Sequence, residues 1–203
     1  GPTWVPSDGK TALSFDGVDD YVTTSLSLTT AVLSVSAWTY RRETSPAAGN
    51  FFFAQRNVST LFQLWSRSDN TDKKLHFYNG TTIVNGTVDL ATANTRWQHV
   101  ACVYNGSQVG FYVDGILDSW QTISPGTIST DTVTINGVAG TYANSMLDDI
   151  RIYNRALSPQ EIRQLASRRG IAYERSTKTY FLPPSPSSQF YDVLAPSIFA
   201  GSI

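Results

Sequence analysis

Acidic residues occur in two closely spaced groups that could bind a metal ion. The sequence DGVDD contains Asp16, Asp19 and Asp20, and the sequence LDD contains Asp148 and Asp149. Carboxylates clustered beside turn carbonyl groups suit Ca²⁺, which takes six to eight oxygen ligands in a flexible geometry. Asp-rich turns are also common without a metal, because Asp side chains bond to the backbone of their own turn. Both interpretations stay open, and a bound calcium ion would be structural.

The acidic residues do not form the pair that hydrolysis of a glycosidic bond requires. Such a pair consists of two carboxyl groups roughly 5 to 10 Å apart. Asp148 and Asp149 are neighbours on a predicted strand and therefore point to opposite faces of the sheet. The three glutamates lie in a loop, at the start of a predicted helix and after that helix; they are Glu43, Glu161 and Glu174. We expect no catalytic residues and a protein that is not an enzyme.

Histidine and cysteine give no sign of a catalytic base or nucleophile. His76 and His99 have no serine or cysteine at a recognisable motif spacing, so each is interpreted as a surface or core-edge residue. Cys102, the only cysteine, alternates with apolar neighbours in a predicted strand, which indicates a buried and unreactive thiol.

Aromatic and amide side chains recur on one face of three predicted strands. If the apolar residues of these strands face the core, the opposite face carries Tyr40, then Gln63 and Trp65, then His76 and Tyr78. Aromatic rings pack on the apolar C–H face of a pyranose, and amides and imidazoles bond its hydroxyl groups. These five residues are therefore the predicted carbohydrate-binding residues. The alternative is that a covering loop or the C-terminal tail buries the rings as a second structural layer.

One segment near the end of the chain has a strong helix signal. Ser158 is placed to act as the N-cap, Pro159 occupies the first helical position, and Glu161 can close a capping box. An apolar stripe that includes Ile162 follows, and Gly170 is expected to end the helix. The segment predicts a single helix of about three turns.

The chain before this helix predicts short strands separated by turns. The turn pairs Asn-Gly, Asn-Gly and Asp-Gly at 79–80, 105–106 and 114–115 each indicate a tight connection between strands. Strands this short and evenly spaced are typical of an all-β fold. We expect a two-sheet antiparallel β-sandwich with one short C-terminal helix and an extended tail.

Four segments together carry a resemblance to a known family. They are ALSFDGVDDYV, LSVSAWTY, WQHVACVYNGSQVGFYVDG, and LDDIRIYNRALS followed by QEI, and they span roughly residues 11 to 170. In this order the chain resembles the bacterial or phage laminin G-like domains of the concanavalin A-like superfamily. The resemblance implies a jelly-roll sandwich that usually binds a ligand and rarely catalyses. It also implies that the strands beside DGVDD and LDD lie close together, which makes Asp16, Asp19 and Asp148 the preferred calcium ligands.

Length and charge exclude several classes of partner. The 203 residues suit one full-sized sandwich, and a net charge of −1 gives no electrostatic case for nucleic acid or an anionic membrane. No apolar run approaches the ~20 residues that span a bilayer. We therefore expect no nucleic acid partner and no membrane insertion.

The C-terminal part of the chain differs in composition from the rest. We interpret residues 1–2 (Gly-Pro) as the scar of a cleaved tag, 3–170 as the laminin G-like sandwich and 171–203 as an extended, apolar, Pro-rich arm. The arm has too many apolar residues to leave in water and too many prolines for a regular central strand. We predict that residues 179–203 pack on another subunit and form a homo-oligomer, a trimer or a dimer; the alternative is that they lie along their own sandwich.

These features predict a recognition or adhesion module rather than a catalyst. The expected partner is a glycan or cell-surface polysaccharide, bound in lectin fashion by the aromatic face with or without calcium, and the expected location is extracellular or at the cell surface. The alternative is a structural or assembly protein, such as a decoration or fibre component of a phage virion or a cell surface. In that case the arm provides the attachment and the location is the virion surface.

Overall fold

The computed structural model describes residues 1–27, 32–42, 49–55, 62–67, 72–91, 94–125, 132–138, 141–169 and 190–192. Within these ranges the strands are β1 (Thr3–Ser7), β2 (Lys10–Asp16), β3 (Val22–Ser27), β4 (Leu33–Arg41), β5 (Gly49–Gln55), β6 (Phe62–Arg67), β7 (Leu75–Asn79), β8 (Ile83–Asn85), β9 (Gln98–Tyr104), β10 (Gln108–Val113), β11 (Ile116–Thr122), β12 (Thr132–Ile135), β13 (Gly137–Val138), β14 (Thr141–Tyr142), β15 (Asn144–Tyr153) and β16 (Phe190–Asp192). The helix is α1 (Pro159–Ala166).

The strands form two large sheets that pack face to face. One is eight-stranded, in the order β1, β2, β15, β4, β9, β10, β11, with β16 also paired to β15. The other is six-stranded, in the order β3, β12, β5, β6, β7, β8, and β13 pairs with β14 separately. Each strand pair among the described residues is antiparallel. The predicted all-β, two-sheet antiparallel sandwich with one short helix is therefore confirmed.

The hydrophobic core lies between the two sheets because alternate residues of each strand are apolar. Val35 of β4 and Phe111 of β10 are buried on the inner face of the eight-stranded sheet. Tyr104 of the same sheet crosses the core, with its ring centroid 5.6 Å from Phe62 and 5.4 Å from Phe77 of the six-stranded sheet. The side chains that alternate with these inner residues point to the outer face of each sheet.

Helix α1 covers part of the outer face of the eight-stranded sheet. Its start is as predicted: the Ser158 hydroxyl accepts a bond from the Glu161 amide, and the Glu161 carboxylate accepts one from the Ser158 amide at 2.8 Å. Ile162 is fully buried in a second apolar cluster. The other buried members of that cluster are Ala101, Val103, Tyr112, Tyr153 and Leu157.

The helix ends earlier than the sequence suggested. It stops at Ala166, because the amide and hydroxyl of Ser167 both donate to the Gln164 carbonyl and close the last turn. Arg169 leaves the helix and lies over the Trp97 ring, 4.0 Å from its centroid. The predicted stop at Gly170 lies outside the described residues.

A short piece of the C-terminal arm is part of the eight-stranded sheet. In β16, Phe190 pairs with Tyr153 and Asp192 pairs with Arg151. This piece contacts its own sandwich, which was the alternative to packing on another subunit. The remainder of 179–203 lies outside the described residues, so the predicted oligomer stays a prediction. The described part of the chain holds no helix with the length and apolar character of a membrane span.

Candidate functional site

Four of the five predicted carbohydrate-binding residues lie together on the outer face of the six-stranded sheet. Gln63 of β6 pairs with Tyr78 of β7, and Trp65 of β6 pairs with His76 of β7. Their neighbours Phe62 and Leu64 alternate inward, so all four side chains share the outward face. Gln63, Trp65 and Tyr78 are partly exposed, whereas His76 is buried. We call this set of four residues the aromatic face.

The rings of Trp65 and His76 form a stacked pair. Their centroids are 5.2 Å apart and their planes differ by 16°. His76 Nδ1 is 2.7 Å from Asn85 Oδ1, and His76 Nε2 is 3.4 Å from Asp72 Oδ2. An amide oxygen accepts and cannot donate, so the proton of this bond belongs to Nδ1. The Nδ1 bond to Asn85 fixes the imidazole beside the Asp72 carboxylate, and the imidazole stacks against the indole of Trp65.

A tight turn sets the register that brings Asn85 to this position. Gly80 has a φ of +91°, and the Asn79 side-chain oxygen accepts bonds from the amides of Thr81 and Thr82 at 3.2 and 3.0 Å. The turn returns the chain so that Asn85 pairs with His76. The sequence analysis did not include Asn85, although the Asn-Gly turn signal together with the antiparallel register would have pointed to it.

Tyr40, the fifth predicted residue, belongs to the other sheet, and its assignment to this site is corrected. Strand β4 lies between β15 and β9 in the eight-stranded sheet. The Tyr40 ring is 5.8 Å from the Trp97 ring, at an angle of 60°. Alternation along β4 correctly predicts an outward-facing tyrosine, but the outward face of β4 is on the opposite side of the sandwich from the aromatic face.

Three aspartates of the DGVDD motif form a compact acidic cluster. Carboxylate oxygens of Asp16, Asp19 and Asp20 all lie within 4.8 Å of one another. Asp16 and Asp19 are exposed, and Asp20 is buried. The loop holds them in place, since Asp20 Oδ2 accepts from the Asp16 amide at 2.9 Å and Asp16 Oδ1 accepts from the Val18 amide at 2.8 Å. Oxygens that bind one Ca²⁺ at 2.3–2.6 Å are at most about 5 Å apart, so this spacing fits the ion.

Two further features surround the acidic cluster. The terminal ammonium of Gly1 lies 3.1 Å from Asp20 Oδ1, and the hydrogen bond and charge of Asp20 raise the pKa of that ammonium. Asn144 pairs with Asp16 across β15 and β2, and its side-chain oxygen is buried without a hydrogen-bond partner in the described part of the chain. The Gly1 ammonium therefore contacts the cluster, and Asn144 lies on the strand paired with it.

Asp148, the third preferred calcium ligand, is not part of this cluster. Strand β15 pairs Asn144 with Asp16, so Asp148 lies four residues further along, about 13 Å at 3.3 Å per residue. It contacts Arg169 instead, with 3.4 Å between Asp148 Oδ2 and Arg169 Nη1. Burial and the neighbouring Asp149 raise the pKa of Asp148 to about 6. The two strands are neighbours, as predicted, but their register places Asp148 away from Asp16 and Asp19. Asp20 is the third carboxylate of the cluster instead.

His99 has the structural character that the sequence indicated. It is 1% exposed and packs edge-on against Trp38, with centroids 5.6 Å apart. Burial lowers the pKa of His99 to about 4, so the imidazole is neutral at physiological pH. Cys102 is likewise fully buried, and burial raises the pKa of its thiol.

Comparison with known proteins identifies the family and the fold of the chain. A family model described as the concanavalin A-like lectin/glucanases superfamily matches residues 16–163, which contain the aromatic face and the acidic cluster. Domain 4 of AbnA, an extracellular arabinanase from Geobacillus stearothermophilus solved with arabinotriose, has a TM-score of 0.65 at 18% identity over 82% of this chain and 81% of that one. A heptameric SAP-like pentraxin from Limulus polyphemus gives 0.59 at 17% identity over 76% of this chain and 80% of its own.

A third similar structure belongs to a larger protein. Trypanosoma rangeli sialidase, in complex with the inhibitor DANA, has a TM-score of 0.59 at 17% identity, with 81% of this chain and 28% of the sialidase covered. At such identities these likenesses establish the fold. No curated protein matches the chain.

Proposed function

This chain belongs to the concanavalin A-like lectin/glucanase superfamily, and we propose that it is a non-catalytic recognition module that binds carbohydrate. The binding surface in this proposal is the aromatic face of the six-stranded sheet. The expected ligand is a glycan or a cell-surface polysaccharide, and the expected location is extracellular or at the cell surface.

The arrangement of Trp65 over His76 is the observation that carries the proposal. The indole is stacked on one side against a fixed imidazole, and the pair Gln63 and Tyr78 lies two residues further along the same strands. Two partly exposed rings and an amide at this spacing offer apolar surfaces for sugar C–H groups and polar atoms for hydroxyl groups.

The similar structures support this proposal without assigning it. The arabinanase domain was solved with arabinotriose and the sialidase with DANA, which are statements about those proteins. One fold hosts many functions, so a shared fold alone does not transfer a ligand. The residues of the aromatic face are the independent argument for carbohydrate.

The carboxylates near the aromatic face favour binding over hydrolysis. Among the described residues, Asp72 is the carboxylate that approaches the ring pair. Glu161 is engaged at the helix start, where its oxygens accept from Arg155 at 2.6 and 3.0 Å. Glu43 and Glu174 lie outside the described residues. A two-carboxylate mechanism therefore has no pair among the described side chains of this face.

A glycan array tests the proposal most directly. The full chain, labelled at its amines, should bind a defined subset of neutral or cell-surface glycans on the array. Running the same array in Ca²⁺ and in EDTA shows whether binding depends on metal. Specific binding to no glycan in either condition would overturn the proposal.

Calcium at the acidic cluster is a second part of the proposal. Asp16 and Asp19, as predicted, and Asp20, in place of Asp148, would supply the carboxylates, with Asn144 as a further oxygen ligand. The ion would fix the loop that connects β2 and β3. Calorimetric titration of EDTA-treated protein with CaCl₂ tests the calcium site. The absence of a heat of binding would contradict it.

The alternative function, a structural or assembly protein of a virion or a cell surface, depends on the C-terminal arm. Its homo-oligomer through residues 179–203 stays a prediction, and the pairing of β16 with β15 shows that part of the arm contacts its own sheet. Light scattering of the chain with and without residues 179–203 distinguishes an arm that joins subunits from an arm that lies only on its own sandwich. A mass per particle that falls to one chain on deletion would favour the assembly function.

A further inference from the structure

The edge strand β8 extends the aromatic face by one strand. Ile83 of β8 pairs with Tyr78, and Asn85 pairs with His76. Directly opposite residues of an antiparallel pair point to the same side of the sheet. Val84, between Ile83 and Asn85, packs instead against the core between the two sheets. Ile83 therefore lies on the outer face of the six-stranded sheet, beside Tyr78.

Ile83 and Tyr78 together form an apolar corner of this surface. Ile83 is 55% exposed, and Tyr78 is partly exposed. The Cβ atoms of directly opposite residues are about 5 Å apart, so one small group of a ligand can touch both side chains. The Tyr78 hydroxyl donates to the Gly80 carbonyl at 2.8 Å, so its proton is already used. The corner therefore offers hydrocarbon on both sides and one oxygen that can only accept.

The register of Ile83 distinguishes it from an isolated apolar residue, which is ordinary on a protein surface. Tyr78 lies between Gln63 on β6 and Ile83 on β8. This row changes from an amide to an aromatic ring to an aliphatic side chain as it approaches the edge of the sheet. A ligand that lies along the row meets a different chemistry at each of its two ends.

The aliphatic side chain of Ile83 selects the ligand group that can lie against it. A sugar hydroxyl placed there would lose water and gain no hydrogen bond, which is unfavourable. A methyl group in the same place would remove apolar surface of both partners from water, which is favourable. Sugars carry methyl groups in two common forms, the acetamido group of N-acetylhexosamines and C6 of 6-deoxyhexoses. Both forms offer the same contact to Ile83.

We infer that Ile83 determines the specificity of the carbohydrate site, which prefers sugars with a methyl-bearing substituent. This inference rests on the proposed function, because it requires a sugar on the aromatic face. The rings of Trp65 and Tyr78 contact the C–H groups of the sugar, and its methyl group lies against Ile83 at the side of β8.

Glycan pairs that differ in one group test the preference. One set of pairs exchanges acetamido for hydroxyl, and the other exchanges a C6 methyl for a hydroxymethyl group. The full chain should bind the methyl-bearing member at least threefold more tightly in one set or both, since one apolar carbon removed from water corresponds to about a fourfold change in affinity. Ile83→Thr, which keeps a β-branched side chain for the strand, should bring this ratio close to one. Ile116→Thr is the matched control, because Ile116 is 72% exposed on β11 of the other sheet, and it should keep the ratio of the parent.

Methyl-labelled isoleucine locates the contact by NMR. The resonance that is missing from Ile83→Thr identifies Ile83, and it should shift when the tightest-binding methyl-bearing glycan is added. Equal binding within every pair, a preference that persists in Ile83→Thr, or an Ile83 resonance that does not shift would each overturn this inference and leave carbohydrate binding in place. Binding of no glycan would overturn the proposed function, and the preference with it. A preference in only one set of pairs would support the inference and identify which methyl-bearing group Ile83 contacts.

Discussion

The indole of Trp65 and the imidazole of His76 stack at 5.2 Å, with planes inclined by 16°. His76 is 5% exposed, whereas Trp65 keeps part of its surface accessible. In the proposed function the two rings therefore have different roles: His76 holds the geometry, and Trp65 provides the surface that the ligand contacts.

Replacing the partly exposed rings should remove glycan binding and leave the fold intact. Trp65→Ala and Tyr78→Ala should each weaken binding by tenfold or more, because an aromatic ring at the centre of an interface contributes about 2 kcal/mol or more. The melting temperature should change little. Trp4→Ala, on the other sheet, is the matched control and should bind normally. If Trp65→Ala and Tyr78→Ala lose several kcal/mol of unfolding free energy, as buried rings do, the aromatic face is a structural layer.

Calcium should stabilise the protein through the acidic cluster and not through Asp148. Saturating Ca²⁺ should raise the melting temperature. At a free Ca²⁺ concentration of one hundred times Kd, the unfolding free energy should increase by about 2.7 kcal/mol. Asp19→Asn should reduce this shift, because it removes the charge of an exposed carboxylate of the cluster. Asp148→Asn should retain it. Superimposed melting curves of the parent in Ca²⁺ and EDTA would argue against a metal, and loss of the shift in Asp148→Asn would restore the ligand set predicted from the sequence.

The stability of the protein between pH 4 and 6.5 should contain two opposing contributions. The folded pKa of His99 is lowered to about 4, so unfolding takes up a proton and stability rises with pH through this window. The folded pKa of Asp148 is raised to about 6, so unfolding releases a proton and stability falls as pH rises from its unfolded value near 4 to 6. Asp149, Arg169 and Lys10 are the charges that act on Asp148.

Asp148→Asn should therefore make stability rise more steeply with pH than in the parent. The remaining contribution of His99 to the unfolding free energy is at most about 3.4 kcal/mol, because its pKa is lowered from 6.5 to about 4 and each pKa unit corresponds to about 1.36 kcal/mol. Urea unfolding of parent and variant from pH 4 to 7 measures the difference. Parallel stability curves for the two proteins would show that the folded pKa of Asp148 is close to its ordinary value.

Arg169 should stabilise the sandwich, and its neighbour should not. Arg169 is 8% exposed, lies over Trp97, contacts Asp148 and donates to the Ser7 carbonyl. Arg169→Ala should lower the unfolding free energy by roughly 2 kcal/mol or more, because it leaves a partly buried carboxylate without its partner. Arg168→Ala, at an exposed position, should change it by less than about 0.5 kcal/mol. Equal effects of the two changes in urea unfolding would mean that the contacts of Arg169 contribute nothing.

Local pattern predicted most of the aromatic face. Strands β6 and β7 are consecutive and antiparallel, so alternation along each was sufficient to place Gln63, Trp65, His76 and Tyr78 on one side. Tyr40 has the same local pattern, but β4 joins a different sheet through pairs with β9 and β15. Sheet membership depends on long-range pairing, which alternation does not encode.

Register explains why Asp148 lies apart from the acidic cluster. The resemblance correctly implied that the strands beside the two acidic motifs are neighbours, and β2 does pair with β15. In the observed register Leu13 lies opposite Leu147, and both are buried. With that pairing, Asn144 and not Asp148 meets Asp16. A shift of four residues cannot be read from motif order.

The bond from Arg169 to the Ser7 carbonyl joins two points that are 162 residues apart in the sequence. The same guanidinium contacts Asp148 of β15 and lies over the Trp97 ring, so one side chain ties the segment after α1 to both β1 and β15. Local separation of β1 from the edge of the sheet must therefore break this bond as well as the ladder between β1 and β2.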